Sequence, residues 1–351
     1  PGRTTLLKDV EKVLPGEAVL FKDGVLQQRW FYYDIPITDK IVDISEKEAI
    51  TKLDFLLEQA VESQLIADVT VGAFLSGGLD SSTLCHYASS VKKNLDCFTI
   101  DVSSEDLKQE GVINDLPYAK KVAEHLQVKL HVVSVGSDAI KFLDKMIYHL
   151  DEPQADPAIL NTLFIAQLAR ENNIKVLLSG AGGDDLFTGY RRHYALSQEK
   201  YWAGLPKIMR QGMKFSSSFL PDDLALPRRI KKAFSYADLD ENERLASYFL
   251  WCAPDKVCSL LNKDRFSSIS MDQVLEPFLK TLERLPTGVT SLNKMLYLEN
   301  KHFLPDHNLN YTDKMTMAAG VETRVPFLDK DLVDFACSLP MSLKQNGRSG
   351  K

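Results

Sequence analysis

The sequence contains few cysteines, and their arrangement does not suggest a metal site. Its five cysteines include no CxxC pair, and its seven histidines include no HxxxH pair. We therefore expect reduced thiols, without a zinc site or a framework of disulfides. No apolar run reaches the roughly 18 residues of a membrane-spanning helix. We expect a cytoplasmic protein that has no membrane partner.

The sequence also lacks basic character. Its formal net charge is -6 at pH 7, which argues against a nucleic-acid partner, since such proteins present a basic face. It contains no GxxxxGK(S/T) loop, so a Walker-type phosphate site is excluded. Hydrophobic residues make up 44% of the chain and charged residues 26%, as in an average globular protein. A length of 351 residues suggests two or three domains.

Hydrophobic periodicity predicts that helices and strands alternate in the first half of the chain. The predicted helices cover residues 46–66, 81–91, 115–127, 138–149 and 158–172, and the predicted strands cover residues 69–75, 95–100, 130–135 and 175–178. This alternation predicts an α/β fold with a doubly wound parallel sheet of the Rossmann-like type.

The regions on either side of this alternation have different patterns. Residues 13–24 predict a turn and a short hairpin, and the stretch after residue 195 predicts helices interrupted by prolines. We therefore expect a linker and hairpin over residues 1–45, an α/β domain over 46–195, and a helical region over 196–351 that completes the functional site.

A glycine-rich loop joins the first predicted strand of the sheet to the next helix. It reads Ser76-Gly77-Gly78-Leu79-Asp80-Ser81-Ser82. Backbone N–H groups and the helix dipole favour an anion at such a junction, and glycines let the backbone approach a phosphate closely. Asp80 would repel a phosphate unless a divalent cation lay between them. The loop therefore predicts a phosphate site that includes Mg²⁺.

A second loop, rich in glycine and aspartate, follows the fourth predicted strand. It reads Ser179-Gly180-Ala181-Gly182-Gly183-Asp184-Asp185-Leu186-Phe187-Thr188-Gly189-Tyr190. In a doubly wound sheet the fourth strand returns to the other side of the first, so both loops should flank the switch point where ligands bind. We expect Asp80 and Asp184 to share one Mg²⁺ there.

These segments resemble known families. The first loop resembles the signature of the N-type ATP pyrophosphatases, which cleave ATP between the α- and β-phosphates. The second loop resembles the SGxGxDExxGGY segment of the glutamine-hydrolysing asparagine synthetases (class B), a branch of that superfamily. Residues 151–156 resemble that family's DEPxxD element, and residues 311–329 resemble its DKxxMAxGxExRxPFLD segment. The second loop departs from the pattern at Ala181, Asp185 and Thr188, where an acidic residue, Glu and Gly are usual.

The resemblance implies a role for individual residues. Lys314 would contact pyrophosphate, Glu322 and Arg324 would line the site, and Lys351 would reach the α-phosphate from a mobile glycine-rich loop. Asp80 and Asp184 would hold Mg²⁺. The implied ATP-binding residues are Leu75, Ser76, Gly77, Gly78, Leu79, Asp80, Ser81, Ser82, Ile100, Ser179 and Gly180.

The resemblance also implies an activity. ATP would adenylate a carboxylate, expected to be that of aspartate, and ammonia would convert the adenylate to an amide. The family's glutaminase domain begins with a cysteine, and no cysteine precedes Cys85, so we expect the ammonia to come from a domain absent from this chain. A homodimer is a further expectation. Two alternatives stay open: an amidotransferase acting on another carboxylate, such as a sugar acid or a metabolite, and a non-catalytic ATP-binding module.

Overall fold

The computed structural model describes residues 2–37, 42–102, 114–154, 156–221, 223–261 and 270–347. The chain forms two compact units. The first, which we call the α/β unit, comprises residues 43–186 and 304–337. The second, which we call the helical unit, comprises residues 1–42, 187–303 and 338–351.

The α/β unit alternates strands with helices. Its strands are β3 (Val71–Phe74), β4 (Asp96–Val102), β5 (Lys129–Val135), β6 (Val176–Leu178) and β7 (Glu322–Arg324). Its helices are α1 (Glu46–Leu65), α2 (Leu79–Val91), α3 (Leu116–Leu126), α4 (Leu143–Leu150), α5 (Ala158–Glu171), α6 (Gly183–Phe187), α14 (Asn310–Ala318) and α15 (Lys330–Ser338), of which α6 and α15 each end one residue into the helical unit. Short 3₁₀ turns cover Ser137–Phe142 and Pro326–Leu328.

The five strands form one parallel sheet in the order β5-β4-β3-β6-β7. The chain therefore lays β3, β4 and β5 outward in one direction and then returns to place β6 on the other side of β3. This order makes the junction of β3 and β6 the switch point of the sheet, and it confirms the predicted doubly wound α/β fold. Ligands bind at the carboxyl ends of the strands beside such a switch point.

Apolar side chains cover the sheet and hold its helices. β6 is buried at all three positions, as expected for a strand that helices cover on both faces. One cluster joins Phe98 and Leu177 of the sheet to Ile165 and Ala169 of α5. A second cluster, around Leu150, Leu163 and Met315, packs α14 against α4 and α5. These contacts fix α14 on the α5 face of the sheet.

The helical unit begins with a hairpin of β1 (Glu17–Lys22) and β2 (Val25–Phe31), paired antiparallel. Its helices are α7 (Arg191–Gln198), α8 (Lys207–Ser218), α9 (Ala225–Phe234), α10 (Glu241–Ser247), α11 (Pro254–Leu260), α12 (Met271–Leu282), α13 (Ser291–Leu298) and α16 (Met341–Lys344). A π-helical stretch, Glu299–Leu309, follows α13 and ends in the α/β unit. The core of the helical unit includes Leu245, Leu275, Met295 and Leu298.

A buried charge network also stabilises the helical unit. Arg192 pairs with Glu299, whose side chain is fully buried, and the ring of His193 lies 3.1 Å from the same carboxylate. The Arg192 guanidinium lies over the rings of Tyr190 and Phe303, 4.2 Å from each centroid. A buried charge of this kind is tolerated because it is both paired and hydrogen-bonded.

Thr188 replaces a glycine of the family pattern, and the structure shows what this substitution demands. Its φ is 67°, in the left-handed region that a β-branched residue rarely adopts. Its hydroxyl is buried and donates a hydrogen bond to the backbone carbonyl of Lys344. This bond holds the residue in a conformation that glycine would adopt without strain.

Most elements agree with the sequence pattern. The four strands and four of the five helices are confirmed within a few residues. The predicted helix 138–149 is a 3₁₀ turn up to Phe142 followed by α4, and the predicted hairpin is present but extends to Phe31. The expectation of helices alone after residue 195 was wrong for β7, a three-residue strand that is too short to give a periodic signal. The predicted segments 1–45, 46–195 and 196–351 differ from the two units, because residues 304–337 return to the α/β unit. Within the described residues, no helix is both long and apolar enough to cross a membrane.

Candidate active site

The first glycine-rich loop makes the tight turn from β3 into α2. Gly77 has a φ of 79°, and a Cβ there would lie 2.4 Å from the backbone nitrogen of Ala119. Glycine is therefore required both for the left-handed conformation and for the close approach to α3. Gly78 caps α2, and no side chain caps that terminus. The dipole of this 13-residue helix therefore favours an anion at its N-terminus, where no side chain already accepts from the first backbone N–H groups.

The serines of this loop bond to one another and to the loop backbone. The hydroxyls of Ser76 and Ser81 lie 3.0 Å apart, and the hydroxyl of Ser82 donates to the carbonyl of Gly78 at 2.7 Å. The N–H of Gly78 donates to the hydroxyl of Ser76 at 3.3 Å. The loop is thus pre-organised by its own hydroxyls, which would have to exchange partners to contact a phosphate.

The second loop leaves β6 at the same edge of the sheet. Its first N–H, that of Ser179, donates to the carbonyl of Arg324 at 2.8 Å and so extends the pairing of β6 with β7. Gly182 has a φ of 93°, and a Cβ there would lie 2.6 Å from the side chain of Leu328. The sheet edge and this packing together fix where α6 begins.

The two loops contact each other through Asp80. A Cβ on Gly183 would lie 2.5 Å from Cγ and Oδ2 of Asp80, and a Cβ on Gly180 would lie 3.0 Å from the Cβ of Asp80. The carboxylate of the first loop therefore lies directly against the backbone of the second, one residue from Asp184. The predicted meeting of the loops at the switch point is thus seen in the structure.

The donors at this contact suit magnesium. Mg²⁺ commonly binds one or two protein carboxylates and completes its shell with water and substrate phosphates. Asp80 lies at the loop contact, and Asp184 is the next residue after Gly183 and is half-buried. In the part of the chain that the structure describes, no group of three or more His, Cys, Asp or Glu could hold a metal by itself. Two carboxylates therefore fit a metal that arrives with a nucleotide.

Leu75 and Ile100 lie at the carboxyl ends of β3 and β4. The N–H of Leu75 donates to the carbonyl of Phe98 at 2.9 Å, and its side chain is buried. Ile100 is half-buried and packs against the cluster around Phe98 and Leu177. Because both side chains pack inward, any contact of these residues with a ligand would involve the backbone.

Lys314, on α14, pairs with an acidic residue of the predicted DEPxxD element. Its ammonium group donates to Asp151. Asp151 ends α4 with a φ of 60°, which is uncommon for a residue other than glycine. Strained backbone of this kind clusters at functional sites. Asp151 was not among the site residues predicted individually, although the DEPxxD resemblance had signalled its segment.

A second pair of residues ties the same element to the π-helical stretch that precedes α14. The ring of His307 lies 3.3 Å from the carboxylate of Asp156. Burial raises the pKa of Asp156, but hydrogen bonds from His307 and from the N–H of Ala158 outweigh it, so that the net pKa lies below its usual range. Burial and the charges of Asp156 and Asp185 raise the pKa of Tyr311 to about 12, although a hydrogen bond with Thr312 acts in the opposite direction. Sequence reasoning singled out neither residue, because His307 lies outside the recognised segments and Tyr311 precedes Asp313-Lys314, where the family pattern of segment 311–329 begins.

Glu322 and Arg324 lie elsewhere on the sheet. The Arg324 guanidinium donates to the carbonyls of Gln64 and Ile66, at 2.7 and 2.8 Å, and to the carboxylate of Glu322 at 2.7 Å. Thr323, between them, donates to Thr316 of α14. Thr323 thus faces α14, the helix that carries Lys314. Because adjacent residues of a strand face opposite sides, Arg324 lies on the face of the sheet away from α14. The structure does not bring Arg324 and Lys314 together.

Lys351 lies outside the described residues, so its predicted contact with the α-phosphate stays a prediction. The predicted roles of Lys314, Glu322 and Arg324 in binding likewise stay predictions. The geometry unites one subset of the predicted residues at the switch point. That subset is Leu75, Ser76, Gly77, Gly78, Leu79, Asp80, Ser81, Ser82, Ile100, Ser179, Gly180 and Asp184.

Several known proteins are similar in sequence to this chain. An asparagine synthetase (glutamine-hydrolysing) of Bacillus subtilis is 26% identical in an alignment of 359 residues that covers 99% of this chain and 52% of that protein. A putative asparagine synthetase of Mycobacterium bovis is 30% identical in an alignment of 317 residues that covers 87% of this chain and 44% of that protein. An amidase of Penicillium rubens is 28% identical in an alignment of 375 residues that covers 97% of this chain and 53% of that protein.

The chain thus spans about half the length of the curated relatives it matches. The family model described as asparagine synthase matches residues 52–351, a range that contains both loops and the segment from Lys314 to Arg324. The resemblance inferred from the two loops is therefore confirmed, and the chain belongs to the asparagine synthase family.

Proposed function

We propose that this chain is the synthetase part of an ATP-dependent ligase that converts a carboxylate to an amide. The contact of Asp80 with Gly183 is the observation that supports this most directly. It places a carboxylate suited to Mg²⁺ between two loops suited to phosphate, at the switch point of a doubly wound sheet. Membership of the asparagine synthase family supports the same reaction class.

The proposed reaction has two steps. In the first, a carboxylate oxygen of the acceptor attacks the α-phosphorus of ATP, the bond to the bridging oxygen breaks, and pyrophosphate leaves. In the second, the nitrogen of ammonia attacks the acyl carbon, AMP leaves, and the nitrogen loses a proton. The products are an amide, AMP and pyrophosphate. Most of the catalysis would come from positioning and from charge stabilisation at the phosphates.

Each part of the site has a proposed task. The Ser76–Ser82 loop binds the departing pyrophosphate, and the backbone at Leu75 and Ile100 contacts adenine. Asp80 and Asp184 hold Mg²⁺, which when bound offsets the charge of the phosphates. Lys314 exchanges its Asp151 partner for pyrophosphate, since its ammonium lies only partly buried in that pair.

The other predicted residues have proposed roles away from the contact between the two loops. Lys351 is proposed to reach the α-phosphate. Glu322 and Arg324 act on the site through the position of β7, because Arg324 already donates to two carbonyls at the end of α1. Ammonia is proposed to come from a glutaminase region, in keeping with relatives that are about twice as long as this chain and are named glutamine-hydrolysing.

Aspartate is the acceptor that we propose first. A second candidate is an amidotransferase acting on a different carboxylate, such as a sugar acid or a metabolite. Two observations favour keeping it: Ala181 stands where many members of the family carry an acidic residue, and a relative is named an amidase. Ala181 lies in the second loop, two residues before Gly183, so the departure falls within the proposed site.

The test is release of AMP and pyrophosphate from Mg·ATP with ammonium and a panel of carboxylates: aspartate, glutamate and a sugar acid. We expect equal amounts of AMP and pyrophosphate with aspartate. Asp80→Asn should abolish the signal, whereas Asp68→Asn, which removes an exposed carboxylate at the amino end of β3, should leave it unchanged.

Three outcomes would contradict parts of this proposal. Release of ADP and phosphate would contradict cleavage between the α- and β-phosphates. A signal with another acid but none with aspartate would favour the second candidate. Bound ATP without turnover on any acid would favour a non-catalytic ATP-binding module.

A further inference from the structure

The helical unit contains a concave basic pocket that the proposed reaction does not use. Its volume is about 520 Å³, within the range of small-molecule sites, about 300–1,000 Å³. It lies among α9, α10, α11 and the segment before α11. Among the described residues that line it, five are Lys or Arg and none is acidic. In a chain whose net charge is -6, this concentration of positive charge is a local feature.

The charge comes mainly from one face of α9. Arg228, Lys231, Lys232 and Ser235 line the pocket at positions i, i+3, i+4 and i+7. Residues at this spacing are neighbours on a helix surface, and like charges there repel one another and destabilise the helix. The ten residues of α9 include four cations and no acid. An anion bound in the pocket would remove this repulsion.

Two further lining residues, outside α9, are charged. Lys256 adds a cation from α11, while Arg244 is already paired with Glu199 at 2.7 Å. Asp255, beside Lys256, adds to the effect of burial in raising the pKa of Tyr236, but it does not line the pocket. The anion would therefore be held mainly by Arg228, Lys232 and Lys256.

Aromatic rings line the same pocket. Tyr236, Tyr248 and Trp251 all contribute to it. The hydroxyl of Tyr248 donates to Glu199 at 2.9 Å, which fixes that ring. Trp251 is 62% exposed, so part of its indole surface is accessible to a ligand. An aromatic ring of a ligand could stack on this indole while its charged part lies over α9.

We propose that this pocket binds a phosphorylated small molecule that carries an aromatic ring, the chemistry of a nucleotide. The phosphates contact Arg228, Lys232 and Lys256, and the ring stacks on Trp251. A concave pocket of this volume matches one small molecule rather than an extended strand. The proposal does not depend on the reaction assigned to the α/β unit, because every lining residue belongs to the helical unit.

Tryptophan fluorescence provides the test. The three tryptophans, Trp30, Trp202 and Trp251, all belong to the helical unit, so the signal reports on that unit. The protein is titrated with ATP and, separately, with inorganic tripolyphosphate. We expect ATP to quench the emission, and we expect this quench to disappear in Trp251→Phe.

Charge-reversal variants separate the pocket from general charge effects. Lys232→Glu and Lys256→Glu should each weaken ATP binding about tenfold or more, because each loses a charge-assisted hydrogen bond. Lys207→Glu changes the net charge equally at an exposed position outside the pocket, and it should bind ATP like the wild type. All three residues are exposed, so the thermal unfolding of Lys256→Glu and Lys207→Glu should be unchanged. Lys232→Glu also relieves the repulsion on α9, so its unfolding temperature should be unchanged or slightly higher. The release of AMP and pyrophosphate should be unchanged in all three.

Several results would overturn the proposal. One is equal affinity for ATP and tripolyphosphate together with no effect of Trp251→Phe on the quench. Another is equal weakening by Lys207→Glu, which would indicate attraction without a site. A short single-stranded RNA that binds far more tightly than ATP would identify a nucleic-acid surface instead.

Discussion

The contact between Asp80 and Gly183 gives the sharpest prediction for the candidate active site. Gly183→Ala would place a Cβ 2.5 Å from the Asp80 carboxylate, whereas ordinary contacts of a Cβ begin at 3.4 Å. The carboxylate must therefore move by about 0.9 Å. Gly183 does not have a positive φ, so its backbone accepts alanine, and the atoms that must move are the far end of one side chain.

The expected cost falls on activity rather than on folding. Overpacking costs about 1–3 kcal/mol, and the cost here should lie at the low end of that range because only the far end of the Asp80 side chain must move. A displacement near 1 Å can lower a rate roughly 100-fold when catalysis depends on positioning. We therefore expect AMP and pyrophosphate release to fall about 100-fold while the midpoint of urea unfolding changes little.

A matched glycine supplies the control. Gly136→Ala lies in the same unit, at an exposed position where a Cβ would meet no atom within 4 Å, and it should leave both activity and stability unchanged. If Gly183→Ala retained more than about a third of the wild-type rate, the reasoning that the position of Asp80 limits catalysis would be refuted.

Three further predictions concern α14, the acidic element and β7. Lys314→Met should slow pyrophosphate release at least about tenfold. The stability loss should stay under about 1 kcal/mol, because the pair with Asp151 is exposed. Unchanged kinetics would exclude a contact of Lys314 with pyrophosphate. The folded pKa of Asp156 is depressed, so its carboxylate stabilises the fold fully above the pKa of an unfolded aspartate, about 3.9. This contribution is lost as pH falls through the folded pKa. Asp156→Asn should therefore be less stable than the wild type at pH 7, and the difference should vanish as pH falls through the folded pKa; urea unfolding at pH 7 and pH 3 tests this. Arg324→Met should destabilise by about 0.5–1.5 kcal/mol, since it removes the donor to two carbonyls at the end of α1 that are only partly shielded from water. Lost activity at full stability would instead indicate substrate contact.

The alternating elements of the α/β unit were predictable because their signal is local. Residues 69–75 form a short apolar run between a helical period and a glycine-rich turn, and β3 lies within that run. The position of β6 on the far side of β3 followed from the general rule for doubly wound sheets. β7 could not be predicted in this way, because three residues carry no period and its pairing partner, β6, lies about 145 residues earlier.

In the candidate site, too, local features were predictable and contacts between distant segments were not. The two loops could be identified individually because glycine and aspartate at a strand–helix junction imply phosphate and a cation. The partners of the charged residues could not. Lys314 pairs with a residue 163 positions away, and Arg324, which the resemblance assigned to the site, bonds instead to carbonyls near the end of α1.

The sequence by itself determined the fold class, the family and the loop that would bind phosphate, since each depends on residues that are neighbours along the chain. Only the tertiary structure decided which of the charged residues meet. It brings Asp80 against Gly183, and it places Lys314 and Arg324 on opposite faces of one sheet. It also gathers the cations of α9 and α11 around one pocket. The physical reason is that charge pairing depends on distance in space, and the packing of distant segments sets that distance.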